Sequence, residues 1–378
     1  MYIQNIQPGD KTKRDFSLFC LKINGMNKKI VKQVAGIDVA QKELVVTLGR
    51  MYDDWIPVLY SYKVFPNNEK GFLALVSWVK LQSAEEVMVR FVMEATGVYH
   101  ESLAYFLSKK EYDVSIILPN KISNYSRSLD TKTVTDKTAS EAIARFGLER
   151  KLDNWIAPRP IYKKLRQITR EREQLVEERT ALKNQLHAEQ AEAEPNKGSI
   201  ERMKKRIILL NKQELEIKGE ISVLLKQDEN VQHLMVLLMT LPGIGQLTAA
   251  VIMAETNGFE LIRNKRQLTS YAGLDVKEKQ SGTSIKGKPR ISKKGNRYLR
   301  SAMHMPALSA IKHDQRFKAI FARLVAKHGI KMKAAVAVQR KLLEMTYTLF
   351  KKNEPYDKNY FKKQDPQSLQ VEQPDLKD

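Results

Sequence analysis

The sequence predicts a mixed α/β domain, then a long antiparallel helical hairpin, then a mostly α C-terminal domain. Three observations carry this. Apolar runs of strand length precede residue 66 and then alternate with helical spacings, which implies a mixed sheet rather than a barrel. Two heptad stripes flank Pro195-Asn196-Lys197-Gly198. Finally, Pro242-Gly243-Ile244-Gly245 joins two apolar helical stretches, the pattern of a helix-hairpin-helix.

At 378 residues the chain is long enough for two or three cores. Its formal net charge of +22 points to a polyanionic partner. Nucleic acid is preferred over a membrane, because no basic amphipathic stretch carries a hydrophobic anchor face. The single cysteine, Cys20, excludes a disulfide framework and a zinc knuckle. No apolar run reaches membrane-spanning length and no signal-peptide core is visible, so the expected location is the cytoplasm, away from any membrane.

In chain order, residues 1–32 are polar and cationic and are expected to be a poorly ordered extension. Residues 33–155 form the α/β domain. Val34 to Ala40 reads as a buried strand, Leu44 to Leu48 as a second and Leu59 to Phe65 as a third. Phe72, Leu75, Val76 and Val79 set a helix over Asn68 to Leu81. Val87 to Met93 is a further strand ending on Glu94. A helix over Val98 to Leu107 and a strand over Val114 to Leu118 follow. A polar connection, 120–137, then leads to a helix over Thr138 to Leu148.

Residues 156–230 are a linker and coiled-coil hairpin. Leu165, Ile168, Leu175, Leu182 and Leu186 line its first helix, with Arg172 and Arg179 intruding. Ile200, Met203, Ile207, Leu210, Ile217, Ile221 and Leu224 line the second, with Glu214 out of pattern. The narrow stripes suit a dimerisation arm, and the two arginines suit a nucleic-acid contact. Residues 231–352 form the C-terminal domain and 353–378 a polar, disordered tail. The six histidines show no metal-ligand spacing, although His304 and His313 lie near the basic stretch.

Two groups of residues carry chemistry. Asp38 sits inside the first strand, Glu94 at the end of a central strand and Asp136 at the head of a helix. Strand ends converge in such sheets, and carboxylates gathered there hold hard divalent cations. The second group is Lys277 to Arg300, rich in lysine and arginine with Glu278 as its one acid, and read as an exposed loop built to meet phosphate. Lys286, Lys288, Arg290, Lys293, Lys294, Arg297 and Arg300 are its candidate phosphate contacts. Ser281-Gly282 is a small element able to bring a hydroxyl to phosphorus, with Ser284 as its local competitor. Gly243 and Gly245 are candidates for a backbone approach to DNA phosphates.

These motifs, in this order, resemble a known family over residues 34–350. GIDVAQKELVV, MEATGVYH and TVTDKTASEAIARFG resemble the DEDD domain of insertion-sequence transposases, relatives of the Piv DNA invertase. PGIG, YAGL at 271–274, Ser281-Gly282 and KKGNRYLR resemble that family's C-terminal transposase domain. The resemblance implies a RuvC-like, ribonuclease H-like N-terminal domain. Asp38, Glu94 and Asp136 would then match the first three acids and hold Mg2+ or Mn2+. The usual fourth acid is replaced by Ala139, with Glu141 and Asp130 as possible substitutes. It further implies Ser281 as the nucleophile of DNA recombination and a composite site in a homo-oligomer, dimer or tetramer. A structured guide RNA encoded by the element would be a further partner. Two other readings stay open on the residues: a metal-dependent nuclease or junction resolvase without serine chemistry, and a catalytically inactive nucleic-acid-binding protein.

Overall fold

The computed structural model describes residues 28–359 except 96, 130–132, 134, 279, 282–284 and 288. At Gln280, Ser281, Ile285 and Lys286 it describes the backbone alone. The chain divides into two compact units, Met1–Ala157 and Pro158–Asp378.

The first unit is built on one sheet. Strands β1 (Ile30–Val39), β2 (Glu43–Tyr52), β3 (Pro57–Pro66), β4 (Val89–Glu94) and β5 (Val114–Ile117) lie in the order β3-β2-β1-β4-β5. β1, β2 and β3 pair antiparallel, whereas β4 and β5 continue the sheet in parallel with β1. This order and these directions are those of a ribonuclease H-like sheet. Helices α1 (Glu69–Gln82) and α2 (Glu101–Lys109) cover one face, burying Phe72, Leu75, Leu103 and Leu107 against Ala35, Ile37 and Val39. Helices α3 (Pro119–Ser126) and α4 (Asp136–Glu149) cover the other, where Ile122, Ile143 and Leu148 meet Val34 and Val92. Alternation along β1 sorts its side chains between the two faces.

The polar connection expected over 120–137 opens with helix α3. Pro119 ends β5, but at a first helical position its missing N–H costs nothing and its fixed φ favours a helix. Helix α4 comes unusually close to the sheet. A Cβ on Gly36 would lie 2.3 Å from the Ala144 amide nitrogen and 2.6 Å from the Ser140 carbonyl oxygen. A Cβ on Gly147 would meet Val34 and Val92 at 2.8 and 3.0 Å. Thr47 and Ser140 hydroxyls share a buried hydrogen bond of 2.7 Å that pins the same contact.

In the second unit, α5 (Pro160–Ala191) and α6 (Lys197–Leu225) form the antiparallel hairpin. Asn196 caps α6 by accepting from the Ser199 amide. At the root, Tyr162, Leu165, Ile168, Ile217, Ile221 and Leu224 belong to the same core as Met253, Phe259, Val338 and Leu342. Helices α7 (Glu229–Met239), α8 (Gln246–Thr256) and α9 (Lys265–Tyr271) build that core. Four short strands follow: β6 (Val276–Lys277), β7 (Gln280–Ser281), β8 (Ile285–Lys286) and β9 (Arg290–Ile291). The domain closes with α10 (Arg297–Ala302), α11 (His304–His313), α12 (Gln315–His328) and α13 (Lys331–Lys352).

The three residues that broke the heptad pattern meet one another inside the hairpin. Glu214, 5 % exposed, accepts from Arg172 at 2.8 Å and pairs with Arg179 and with Lys218 at 3.0 Å. The arginines are therefore occupied by an internal carboxylate, which corrects their reading as nucleic-acid contacts. Burial disfavours the Glu214 charge, but Lys218, Arg179 and Arg172 outweigh it and pull its pKa down to about 2.

Two stability tests follow from these contacts. Gly36→Val should lower the urea midpoint by the equivalent of about 1–3 kcal/mol through overpacking. Gly219→Ala, at an open helix position, should instead stabilise by about 0.5–1 kcal/mol. For the ion cluster, a depressed folded pKa gives stability that is present above the ordinary glutamate range and lost as pH falls towards 2. The gap in melting temperature between wild type and Glu214→Gln should thus be widest near neutrality and shrink between about pH 4.5 and 2.

Candidate active site and nucleic-acid interface

Residues Val34, Gly36 and Asp38 share one face of β1, and Arg90, Val92 and Glu94 share the same face of β4. The parallel register pairs Gly36 with Val92 and Ile37 with Met93, which puts Asp38 beside Glu94 at the strand ends. Helix α4 runs along this face with Gly147 over Val34 and Ala144 and Ser140 over Gly36. Its first residue, Asp136, consequently arrives near Asp38. The Thr135 side chain caps the helix by accepting from the Thr138 amide, and a capping box closes with the Thr138 hydroxyl. An acid in this first turn also suits the helix dipole.

The electrostatics are those of carboxylates brought near one another. Desolvation, followed by the Asp136 charge, raises the pKa of half-buried Asp38 against the pull of its hydrogen bond from the Val39 amide. Desolvation, followed by the Asp38 charge, raises that of Glu94. Among the described residues no basic side chain forms an ion pair with Asp38, Glu94 or Asp136. The donor set is all carboxylate oxygen, suited to a hard divalent cation. It is an open set: among the described residues no three His, Cys, Asp or Glu side chains converge closely enough to hold a metal ion. Ala139 leaves the fourth position without a ligand atom. Glu141 is paired with Lys137 at 4.0 Å, and Asp130 lies outside the described residues.

In the second unit, the stretch expected to be an open loop has strand structure. Val276 and Lys277 pair antiparallel with Ile291 and Arg290, and Gln280 and Ser281 with Lys286 and Ile285. Ser281 is thus carried near the turn of a two-stranded arm. The side chain of Lys286, like that of Ser281, and all of Lys288 lie outside the described residues. Arg290, Lys293, Lys294 and Arg297 are exposed. Arg300 is partly buried and donates to the Ala272 carbonyl at 2.8 Å, so it braces the YAGL turn rather than facing solvent.

The KKGNRYLR segment is anchored on a carboxylate that sequence reasoning missed. Glu255, 1 % exposed, accepts both guanidinium nitrogens of Arg170 at 2.8 and 2.9 Å and the Asn296 amide at 2.6 Å. Tyr271 donates to the Glu255 carbonyl at 2.9 Å, and Arg170 stacks 4.4 Å from the Tyr298 ring centroid. The available signal was a lone acid in the apolar run AAVIMAET. Beside this anchor, Glu173, Glu177, Lys293, Arg297, Ser301 and His304 line a cleft of 570 Å³. Of the PGIG glycines, Gly245 opens α8, and a Cβ placed on it would meet nothing within 4 Å, whereas one on Gly243 would lie 2.4 Å from the Pro306 carbonyl oxygen. Close packing and a φ of +85° require glycine at 243, whereas space is open beside Gly245.

Comparison with known proteins agrees with this layout. The Transposase IS116/IS110/IS902 family matches residues 235–322, and a transposase family comprising the DEDD domain of IS110-type elements matches residues 35–190. A pilin gene-inverting protein of Moraxella bovis is 30% identical over 299 residues, spanning 78% of this chain and 90% of that protein. This chain belongs to the IS110 family of transposases. It is an enzyme of DNA recombination, and DNA is its partner. The transposase for insertion sequence element IS1111A of Coxiella burnetii is 23% identical, covering 86% of this chain and 91% of its own length. Among solved structures, T. thermophilus RuvC in complex with a Holliday junction substrate aligns with 32% of this chain and 99% of its own, at 10% identity and a TM-score of 0.25. Among the described residues no helix is long and apolar enough to cross a membrane.

Folded-state pKa values above the unfolded ones mean that the carboxylates disfavour the folded state as pH rises through and beyond the ordinary carboxylate range. Asp38→Asn should therefore raise the melting temperature at pH 7 rather than lower it. Millimolar Mg2+ or Mn2+ should raise the wild-type value and leave that of Asp38→Asn unmoved. Differential scanning fluorimetry reads both, and an Asp38→Asn chain less stable than wild type at pH 7 contradicts the electrostatic assignment.

Proposed function

We propose that this transposase cuts and rejoins DNA through an ester between Ser281 and the DNA backbone. The observation that supports the reading is that Asp38 lies near both Glu94 and Asp136 at one end of the sheet, in a member of this family. The serine Oγ attacks phosphorus, one P–O bond of the backbone breaks, and the departing strand oxygen takes up a proton. The new phosphodiester conserves the bond energy, so a hydroxyl of another strand can later displace the serine and reseal the backbone.

Residues of this chain divide the work. Arg290, Lys293, Lys294 and Arg297 offset phosphate charge, and Gly245 offers an amide at a helix start. Asp38, Glu94 and Asp136 would hold Mg2+ or Mn2+, which when bound polarises the phosphate and lowers the pKa of an attacking hydroxyl. The raised pKa values of Asp38 and Glu94 also suit those two to accept the serine proton. The active form is a homo-oligomer, dimer or tetramer, and a structured RNA selects the target, a role suited to a chain of net charge +22. A second reading is favoured by the ribonuclease H-like sheet: the carboxylates direct hydrolysis by water and Ser281 only contacts phosphate.

Trapping on nicked or suicide DNA followed by denaturing electrophoresis separates the two. The wild type should give a protein–DNA adduct. Ser281→Ala should abolish it and reduce strand exchange by about 10³-fold or more, a loss on the scale of removing a nucleophile. Strand exchange by Ser281→Ala at the wild-type rate would sink the ester mechanism. Cleavage without an adduct in both proteins would favour hydrolysis.

A further inference from the structure

A second cleft, in the first unit, lies apart from the carboxylates and is not used by the chemistry above. It has a volume of 450 Å³ and is lined by Lys121, Asn124, Tyr125, Ser128, Phe146 and Arg150, where α3 meets the C-terminal end of α4. Lys121 and Arg150 are both exposed, and among the described residues neither forms an ion pair. Burial and the Glu149 carboxylate raise the pKa of the Tyr125 phenol, against the smaller opposing pull of Arg145 and Arg150. Tyr125 and Phe146 meet edge to face, with centroids 5.3 Å apart at 77°. Both rings line the cleft, and the half-buried Phe146 is the more accessible of the two.

The position of this cleft follows from the same close packing that places the carboxylates. Helix α4 has Asp136 at its first residue and Arg150 at its C-cap. Fourteen residues at about 1.5 Å each put the two ends roughly 20 Å apart on the same face of the sheet. The last turn is held in place by Lys32, whose Nζ donates to the Leu148 and Arg150 carbonyls at 3.0 and 2.6 Å. A stacked strand rises about 3.4 Å per nucleotide, so about six nucleotides connect cleft and carboxylates.

We propose that this cleft binds one nucleotide of a single nucleic-acid strand running along α4 toward the carboxylates. Lys121 and Arg150 hold its phosphate, Phe146 stacks on its base, and Asn124 and Ser128 hydrogen-bond its sugar or base edge. Cations combined with an accessible aromatic face favour a single strand over a duplex, whose bases are already stacked on one another. The inference stands whether serine or water attacks the backbone.

Fluorescence anisotropy with the full chain tests it. The probes are a labelled 20-nucleotide DNA strand, an RNA strand of the same sequence and the DNA duplex, each titrated between about 50 and 200 mM salt. Lys121→Glu/Arg150→Glu should weaken single-strand binding about 10-fold or more and flatten the slope of log K against log salt by about 0.7, the value for one phosphate no longer neutralised. Phe146→Leu keeps the core filled and should weaken single-strand binding about 10-fold with the slope unchanged. Duplex affinity should stay within about 2-fold, as should all affinities of the control Lys70→Glu/Lys109→Glu on the opposite face of the sheet. Loss confined to RNA assigns the cleft to an RNA strand, and loss confined to DNA to a separated DNA strand. Equal loss on single strand and duplex, equal loss in the control, or full competition by millimolar inorganic phosphate would overturn the proposal. Melting temperatures measured on each variant exclude unfolding as the cause.

Discussion

The contact between α4 and β1 at Gly36 is the constraint on which the acid cluster depends. Three like charges do not assemble themselves, since each one raises the cost of ionising the next. Packing has to hold them together. The glycines at 36 and 147 remove the side chains that would separate helix from sheet, and the Thr47–Ser140 hydrogen bond fixes the sliding register. Asp38 lies two residues beyond Gly36 on the same face, and Asp136 one helical turn before Ser140. Any displacement of the helix therefore changes the distance between acids directly.

The second unit solves the opposite problem, too much positive charge. Two buried acids each bind several cations or donors: Glu214 takes Arg172, Arg179 and Lys218, and Glu255 takes Arg170 and the Asn296 amide. The donors of these arginines are engaged within the fold, although three cations around Glu214 leave that cluster with net positive charge. Glu255 also links the root of the hairpin to the base of the serine-bearing strands, because Asn296 caps α10 and Arg170 stacks on Tyr298. Around that arm, the exposed cations open to a polyanion are Arg290, Lys293, Lys294 and Arg297.

Much of this was legible in the sequence because periodicity reports burial. The five strands, the long hairpin and the placement of Asp38 and Glu94 on neighbouring strand ends all follow from runs of apolar residues. Tertiary partners were not legible. Arg172, Arg179 and Glu214 each read as an error in a heptad, and only the pairing of two helices shows them to be one feature. Gly243 read as an approach to phosphate, yet its space is filled by the Pro306 carbonyl. Helix α3 was hidden because a proline that ends a strand and one that begins a helix look alike in one dimension.

The openness of the carboxylate set is consistent with chemistry on phosphate. A closed cage of acids satisfies a cation fully and leaves it little reason to bind anything else. Mg2+ in phosphoryl-transfer sites is commonly held by one or two carboxylates, with water and substrate phosphate oxygens supplying the remaining ligands. Here Asp38 and Glu94 are half-buried on rigid strands, Asp136 is exposed at a helix start, and position 139 carries a methyl group instead of a fourth acid. In the proposed metal-assisted reading, a site with fewer carboxylates would repel a phosphodiester less.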